Sequence, residues 1–288
     1  MRRDVTVQGN PIITDVHTAD PTVLVHDGTA YLYTGHDEAE PGAQRFVMRD
    51  WLCFSSTDLL SWTPHGPLVR VGDFAWARDG AKASCVVERH GKFWWYLAMN
   101  HATVPGGAIG VAVADHPTGP FRDAIGAALV TNDVPDDDGR DHTNDPFVLV
   151  HDDRAYLYWG KHRCFFAPLD DAMTALAGPV TEIALPAFEE GVHVHHRDGW
   201  FYLSFGHRFP QRVAYAAAAH RRARGRWRAW STRCRATARP TGWRSSSSAA
   251  SGSASTTTAR RRAGTPGAGR CASTASTTTP TDASRGST

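Results

Sequence analysis

One hairpin is written four times along this chain. Val23-Leu24-Val25-His26-Asp27-Gly28 leads into Tyr31-Leu32-Tyr33, and Val86-Val87-Glu88-Arg89-His90-Gly91 leads into Trp94-Trp95-Tyr96-Leu97. Val148-Leu149-Val150-His151-Asp152-Asp153 leads into Tyr156-Leu157-Tyr158, and Val192-His193-Val194-His195-His196-Arg197-Asp198-Gly199 into Phe201-Tyr202-Leu203. β-branched and aromatic residues flank a turn built on Asp-Gly, His-Gly or Asp-Asp, where left-handed backbone is tolerated, so each segment predicts two antiparallel strands. After the first three hairpins a further element ends in Gly-Pro, at Gly66-Pro67, Gly119-Pro120 and Gly178-Pro179, which predicts a small meander per repeat. The recurring leucines Leu32, Leu97, Leu157 and Leu203 lie 65, 60 and 46 residues apart, a spacing suited to four-stranded blades with variable loops. The expectation is an all-β chain folded as a β-propeller.

The charge is divided between two kinds of polymer. Of the total of +2, residues 221–288 carry 14 Arg against one acid, Asp282, a net of +13; residues 1–220 hold 17 basic and 28 acidic groups, a net of −11. From Arg221 onward there is no Leu, Ile, Val, Phe, Tyr or Met. Such a composition cannot bury enough apolar surface to offset its chain entropy. The expected organisation is a propeller domain over residues 1–220 and a disordered low-complexity segment over 221–288. A basic arm for nucleic acid is one reading of that segment, and the acidic body argues against it. The favoured reading is a GC-rich gene translated out of frame. Codons for Arg244 to Gly264, chosen among synonyms and read two bases later, give a peptide of the form VVEFGGEWQRVYHDGAPPG, with a hairpin like the other four.

Propeller blades place their innermost strands around a central axis, so residues that begin equivalent inner strands converge at one end of the channel. Asp20 and Asp145 each lie 12 residues before the recurring leucine of their repeat, and Glu190 lies 13 before Leu203. A single acid before a strand usually caps a turn. Three in one register, two of them in Ala19-Asp20-Pro21 and Asn144-Asp145-Pro146, would share one cleft, where like charges raise at least one pKa and make a proton donor near neutrality. Glu189 is the alternative to Glu190, because a one-residue slip exchanges the two faces of a strand.

At these residues the sequence resembles glycoside hydrolase family 43, five-bladed propeller enzymes that remove arabinose or xylose from plant polysaccharides. Asn10-Pro11-Ile12, Thr18-Ala19-Asp20-Pro21 and Tyr31-Leu32-Tyr33-Thr34-Gly35-His36-Asp37-Glu38-Ala39 resemble its arabinoxylan arabinofuranohydrolase branch, and Asp50-Trp51-Leu52-Cys53-Phe54-Ser55-Ser56 and Phe188-Glu189-Glu190-Gly191 agree with the family. The resemblance implies Asp20 as general base, Glu190 as general acid and Asp145 as the residue that tunes and orients Glu190. An inverting glycosidase of this kind needs base and acid about 6.5–9.5 Å apart with water between them. It implies a plant-cell-wall oligosaccharide as partner, with no nucleic acid and no membrane. No cofactor is required, although a structural calcium in the pore is implied; the family's cation-associated histidine and substrate arginine come from the last region, where this chain offers no counterpart. Candidate sugar contacts are Trp76, Trp159 and His36. For both tryptophans, stacking on a sugar face and packing within a blade stay open. Where the branch has a Trp, in a stretch resembling Asp-Ala-Trp-Ala, this chain has Gly80-Ala81-Lys82-Ala83, so an aromatic platform is missing.

The remaining signals read blandly. His193-Val194-His195-His196 alternates along a strand and lacks an acidic partner for a transition metal. Pro105-Gly106-Gly107-Ala108-Ile109-Gly110 has no helix after it to bind phosphate and is expected to be a loop. Cys53, Cys85 and Cys164 lack C-x-x-C spacing and are expected to be reduced thiols. Met1-Arg2-Arg3 leads into polar residues with no apolar leader, which reads as cytoplasmic.

Overall fold

Each of the four hairpins closes through a two-residue turn in which both residues have positive φ: Asp27 and Gly28, His90 and Gly91, Asp152 and Asp153, Asp198 and Gly199. This is the turn whose twist matches that of the flanking strands. It fixes the pairings His26 with Thr29, Arg89 with Lys92, His151 with Arg154 and Arg197 with Trp200. The computed structural model describes residues 5–6, 11–134, 139–219 and 231–232. All of them lie in the first of two compact units, Met1–Gly242. Asn10 and the expected tail, apart from Ser231 and Thr232, lie outside the described residues, as does the region where a fifth blade is expected.

Four blades are described. Blade 1 comprises β1 (Val5–Thr6), β2 (Thr18–His26), β3 (Thr29–Asp37), β4 (Met48–Ser56) and β5 (Ser61–Arg70), ordered β1-β5-β4-β3-β2. A single 3-10 turn, Val71–Asp73, leads to blade 2, which is built on β7 (Ser84–Arg89), β8 (Lys92–His101) and β9 (Gly107–Ala114). The short strands β6 (Ala77–Asp79), β10 (Arg122–Asp123) and β11 (Val130–Thr131) add to it. Blade 3 is β12 (Phe147–His151), β13 (Arg154–Lys161), β14 (Arg163–Pro168) and β15 (Thr181–Ile183). Blade 4 is β16 (Phe188–Arg197), β17 (Trp200–His207), β18 (Arg212–Ala219) and β19 (Ser231–Thr232). The inner strands β2, β7, β12 and β16 touch one another in that order. This is the propeller the repeat predicts.

The core lies between blades. Tyr33, Trp51, Cys53, Val69, Trp76, Trp95 and Leu97 join blades 1 and 2. Tyr96, Ile109, Val111, Leu157, Trp159 and Phe165 join blades 2 and 3, and Leu149, Tyr158, Val194, Leu203 and Phe205 join blades 3 and 4. Cys53, Cys85 and Cys164 are buried free thiols; burial pushes Cys53 up to about 12 and Cys85 to about 11.

Two expectations are corrected. Gly66-Pro67 does not end a repeat but sits inside β5, where register shifts against β4 absorb the proline. The stretch Gly107-Ala108-Ile109-Gly110 is strand rather than loop, because blade packing needs glycine there. A Cβ on Gly107 would meet the Thr143 carbonyl at 2.0 Å, and one on Gly110 would meet the Trp76 ring at 2.6 Å. No helix among the described residues is long and apolar enough to cross a membrane.

Candidate active site

Three carboxylates enter from three blades, two where a ladder is interrupted and one just ahead of its strand. Asp20 occupies the bulge between the pairs Ala19 with Gly35 and Thr22 with Tyr33, at φ +50. Asp145 precedes β12 and adopts the same φ of +50. Two Asp-Pro units thus hold one sparsely populated backbone conformation, a strain of roughly 1–3 kcal/mol each that tends to gather at functional sites. Glu190 falls between two register shifts in β16, beside Gly191 at φ +75.

These groups sense one another. Asp145 is pushed up from 3.8 to about 7, first by burial, then by the negative charges of Glu190 and Asp20. The Gly191 N–H, 2.6 Å from Asp145 Oδ2, and the Lys161 charge oppose that rise. Asp20 keeps a solvent-accessible edge, yet protein surrounds it closely enough that desolvation is the largest cause of its upward shift, followed by Glu190. Gln211 donates from Nε2 to Glu190 Oε1 at 2.7 Å, and Asn144 Nδ2 donates to Asp145 Oδ1 at 2.8 Å. The alternative acid, Glu189, turns to blade 3, where its carboxylate lies 3.4 Å from His162 Nδ1. Of the two adjacent glutamates, Glu190 is the one in the shared field.

The other sequence candidates are placed differently. His36 stands in β3 opposite Thr18, near Asp20 in the ladder, and its Nδ1 lies 2.9 Å from Asp50 Oδ1. Trp159 is fully buried, its ring tilted against Phe165. Trp76 is buried apart from a sliver of surface and stacks on His101, with ring centroids 5.6 Å apart. Of the two readings the sequence leaves open, this placement is packing for both. His193 packs against Phe147 and His195 stacks on Tyr202. Among the described residues no group of three or more His, Cys, Asp or Glu is arranged to hold a metal ion.

The sequence profile of Glycosyl hydrolases family 43 matches residues 8–248. The chain belongs to this family. It is 30% identical over 230 residues to an arabinoxylan arabinofuranohydrolase of Paenibacillus polymyxa, an alignment covering 68% of this chain and 35% of that protein. The arabinoxylan arabinofuranohydrolase of Bacillus subtilis is 29% identical over 232 residues, covering 68% of this chain and 44% of the relative. The chain therefore spans less than half the length of these two relatives. Among solved structures, an α-L-arabinofuranosidase from Clostridium thermocellum superposes with a TM-score of 0.63 at 29% identity, over 78% of this chain and 74% of that one. This family-43 chain carries Asp20, Asp145 and Glu190 at one end of three inner strands. Gln211, in the turn before β18, escapes the sequence reading because no local signal marks it; the fold of blade 4 brings its amide to Glu190.

Proposed function

We propose that this chain is an inverting O-glycosyl hydrolase that releases terminal α-L-arabinofuranosyl or β-D-xylosyl units from arabinoxylan-type oligosaccharides. The observation that carries the reading is the common field of Asp20, Asp145 and Glu190, delivered by three blades to one place. Asp20, which keeps a solvent-accessible edge, is the base: it takes a proton from water as that water's oxygen bonds to the anomeric carbon. Glu190 gives its proton to the departing glycosidic oxygen as the bond to the anomeric carbon breaks. Asp145, near half-protonated at neutrality, adjusts the charge against which Glu190 holds its proton. The arabinoxylan arabinofuranohydrolases among its relatives support the substrate class.

The test is hydrolysis of aryl arabinofuranosides and aryl xylosides. Asp20→Asn and Glu190→Gln are each expected to lower kcat/KM by about 10²–10⁴-fold. A good leaving group should spare Glu190→Gln in part and Asp20→Asn not at all. Product released first as the inverted anomer, followed by NMR, supports the mechanism; turnover unchanged in either variant removes the assignment. A second reading, a non-catalytic carbohydrate-binding propeller, is favoured by the described residues forming four blades and by Lys82 standing where the branch has a tryptophan. Sugar binding without product, unaffected by Asp20→Asn, would establish it.

A further inference from the structure

Blade 4 reaches its acid twice, once through the inner strand that carries Glu190 and once through the turn between β17 and β18, residues 208–211. That turn is anchored to the chain just ahead of β16. The Arg208 N–H donates to the Ala187 carbonyl at 2.9 Å, and His207 Nδ1 lies 2.9 Å from the Pro186 carbonyl. His207 pairs with Phe188 on one side and Arg212 on the other, so the turn rides over the start of β16. One residue earlier on β17, Gly206 stands opposite Glu190. Its backbone is outside the left-handed region, so space rather than φ asks for glycine there. A Cβ on Gly206 would lie 3.1 Å from the Glu190 carbonyl and 3.3 Å from Gln211 Oε1. The missing side chain leaves the room in which the Gln211 amide folds back and donates from Nε2 to Glu190 Oε1 at 2.7 Å. Both groups are half-buried, and no other hydrogen bond among the described residues reaches the Glu190 carboxyl.

We propose that Gln211 is the positioning residue of Glu190: its amide holds Oε1 as an acceptor and so assigns the transferable proton to Oε2, aimed away from the turn. The proposal rests on the hydrolytic reading, in which Glu190 is the general acid. An amide N–H can only give, so the oxygen it meets stays unprotonated. When the glycosidic bond breaks, its electron pair stays on the leaving oxygen, the Oε2 proton passes to that oxygen, and the Glu190 carboxyl becomes a carboxylate. A hydrogen bond to an ionised acceptor is stronger than one to a neutral acceptor. The Gln211 donor is in place before charge develops, so it favours the transfer without reorganising. The groups that face Glu190 are Asp20 from blade 1, Asp145 from blade 3 and the Gln211 amide from its own blade.

The test is a titration of the full chain labelled with 13C at glutamate carboxyls, the Glu190 signal being assigned by its loss in Glu190→Gln. Gln211→Met keeps the length of the side chain and loses the donor, so the Glu190 midpoint is expected to rise by about 1 pH unit. Gln211→Lys puts a charged donor in the same place and should lower it. Opposite movements in the two variants are not required of a residue that merely fills space. Gly206→Ala leaves Gln211 intact but crowds its amide, and should raise the midpoint by less than Gln211→Met does; it decides the matter should the methionine variant fail to fold. A Glu190 midpoint that stays put or falls in Gln211→Met, or stays put in Gly206→Ala, overturns the proposal. Turnover supplies a second readout. Gln211→Met should lower kcat/KM about 10-fold where the leaving group is a sugar and within about 2-fold where it is a nitrophenolate, which needs no proton. Equal losses on both substrates also overturn it. An unmoved midpoint with inactive Glu190→Gln would sink the role of Gln211 alone, and a moved midpoint with fully active Glu190→Gln would sink the hydrolytic reading alone.

Discussion

Asp145 holds a proton near neutrality that the unfolded chain gives up near pH 3.8, and this makes stability depend on pH. Between about 4 and about 7 the folded protein binds more protons at this group than the unfolded chain, so stability falls as pH rises through that window. Asp145→Asn is expected to flatten the fall; thermal melts at the two ends of the window measure it, and an unchanged slope would contradict the burial and like-charge origin of the shift. Gly191 is the donor that opposes that shift, and its φ of +75 is open to glycine at little cost. Gly191→Ala should lose about 1–2 kcal/mol in denaturant unfolding. The three acids were legible in the sequence because turn chemistry and hairpin length are local and repeat from blade to blade. The choice between Glu189 and Glu190 needed the β16 bulge, which depends on pairing with β17. The fate of Trp76 and Trp159 was not legible, since whether a strand tryptophan faces a cleft or a core is decided by the blade packed against it.

At the scale of elements, one side chain fastens two hairpins. Arg89 ends β7 with its side chain 5% exposed, donating from Nη2 to the Asp153 carbonyl at 3.0 Å and to Asp171 Oδ1 at 3.1 Å, both in blade 3 or the loop after β14. Asp171 is almost wholly exposed, so it rehydrates when the arginine is removed; the cost is the lost charged hydrogen bonds and the buried stem. Arg89→Ala is expected to destabilise by about 1.5–3 kcal/mol in urea, with Lys92→Ala, whose ion pair with Asp115 is exposed, costing under about 1 kcal/mol. The hairpins were readable because their Asp-Gly and His-Gly turns carry their own signal. Gly66-Pro67 and Gly107 were misread because glycine and proline punctuate a chain locally, whereas here they answer to a bulge and to the Thr143 carbonyl of a neighbouring segment.

At the scale of the molecule, the blades protect one another, and the two terminal faces of the described array are where that protection stops. Val23 and Val25 on β2 are 55% and 70% exposed, and Val213 on β18 is 48% exposed. Replacing Val23 and Val25 with threonine is expected to reduce light scattering on storage while changing stability by no more than about 0.5 kcal/mol. Resequencing the gene across codons 210–290 is expected to reveal a one- or two-base slip; an intact frame would make residues 221–288 a genuine basic segment. The placement of one acid per blade carries a consequence for assembly. Asp20 and Asp145 are separated by 125 residues and Asp145 and Glu190 by 45, whereas each hairpin closes over two. Strands can therefore form early and the acids meet late, after the slowest, longest loops have closed. The ionisation of Asp145 becomes a gauge of docking. As blades loosen on mild heating or in dilute denaturant, its midpoint should slide back toward that of a free aspartate while the strands still register by circular dichroism.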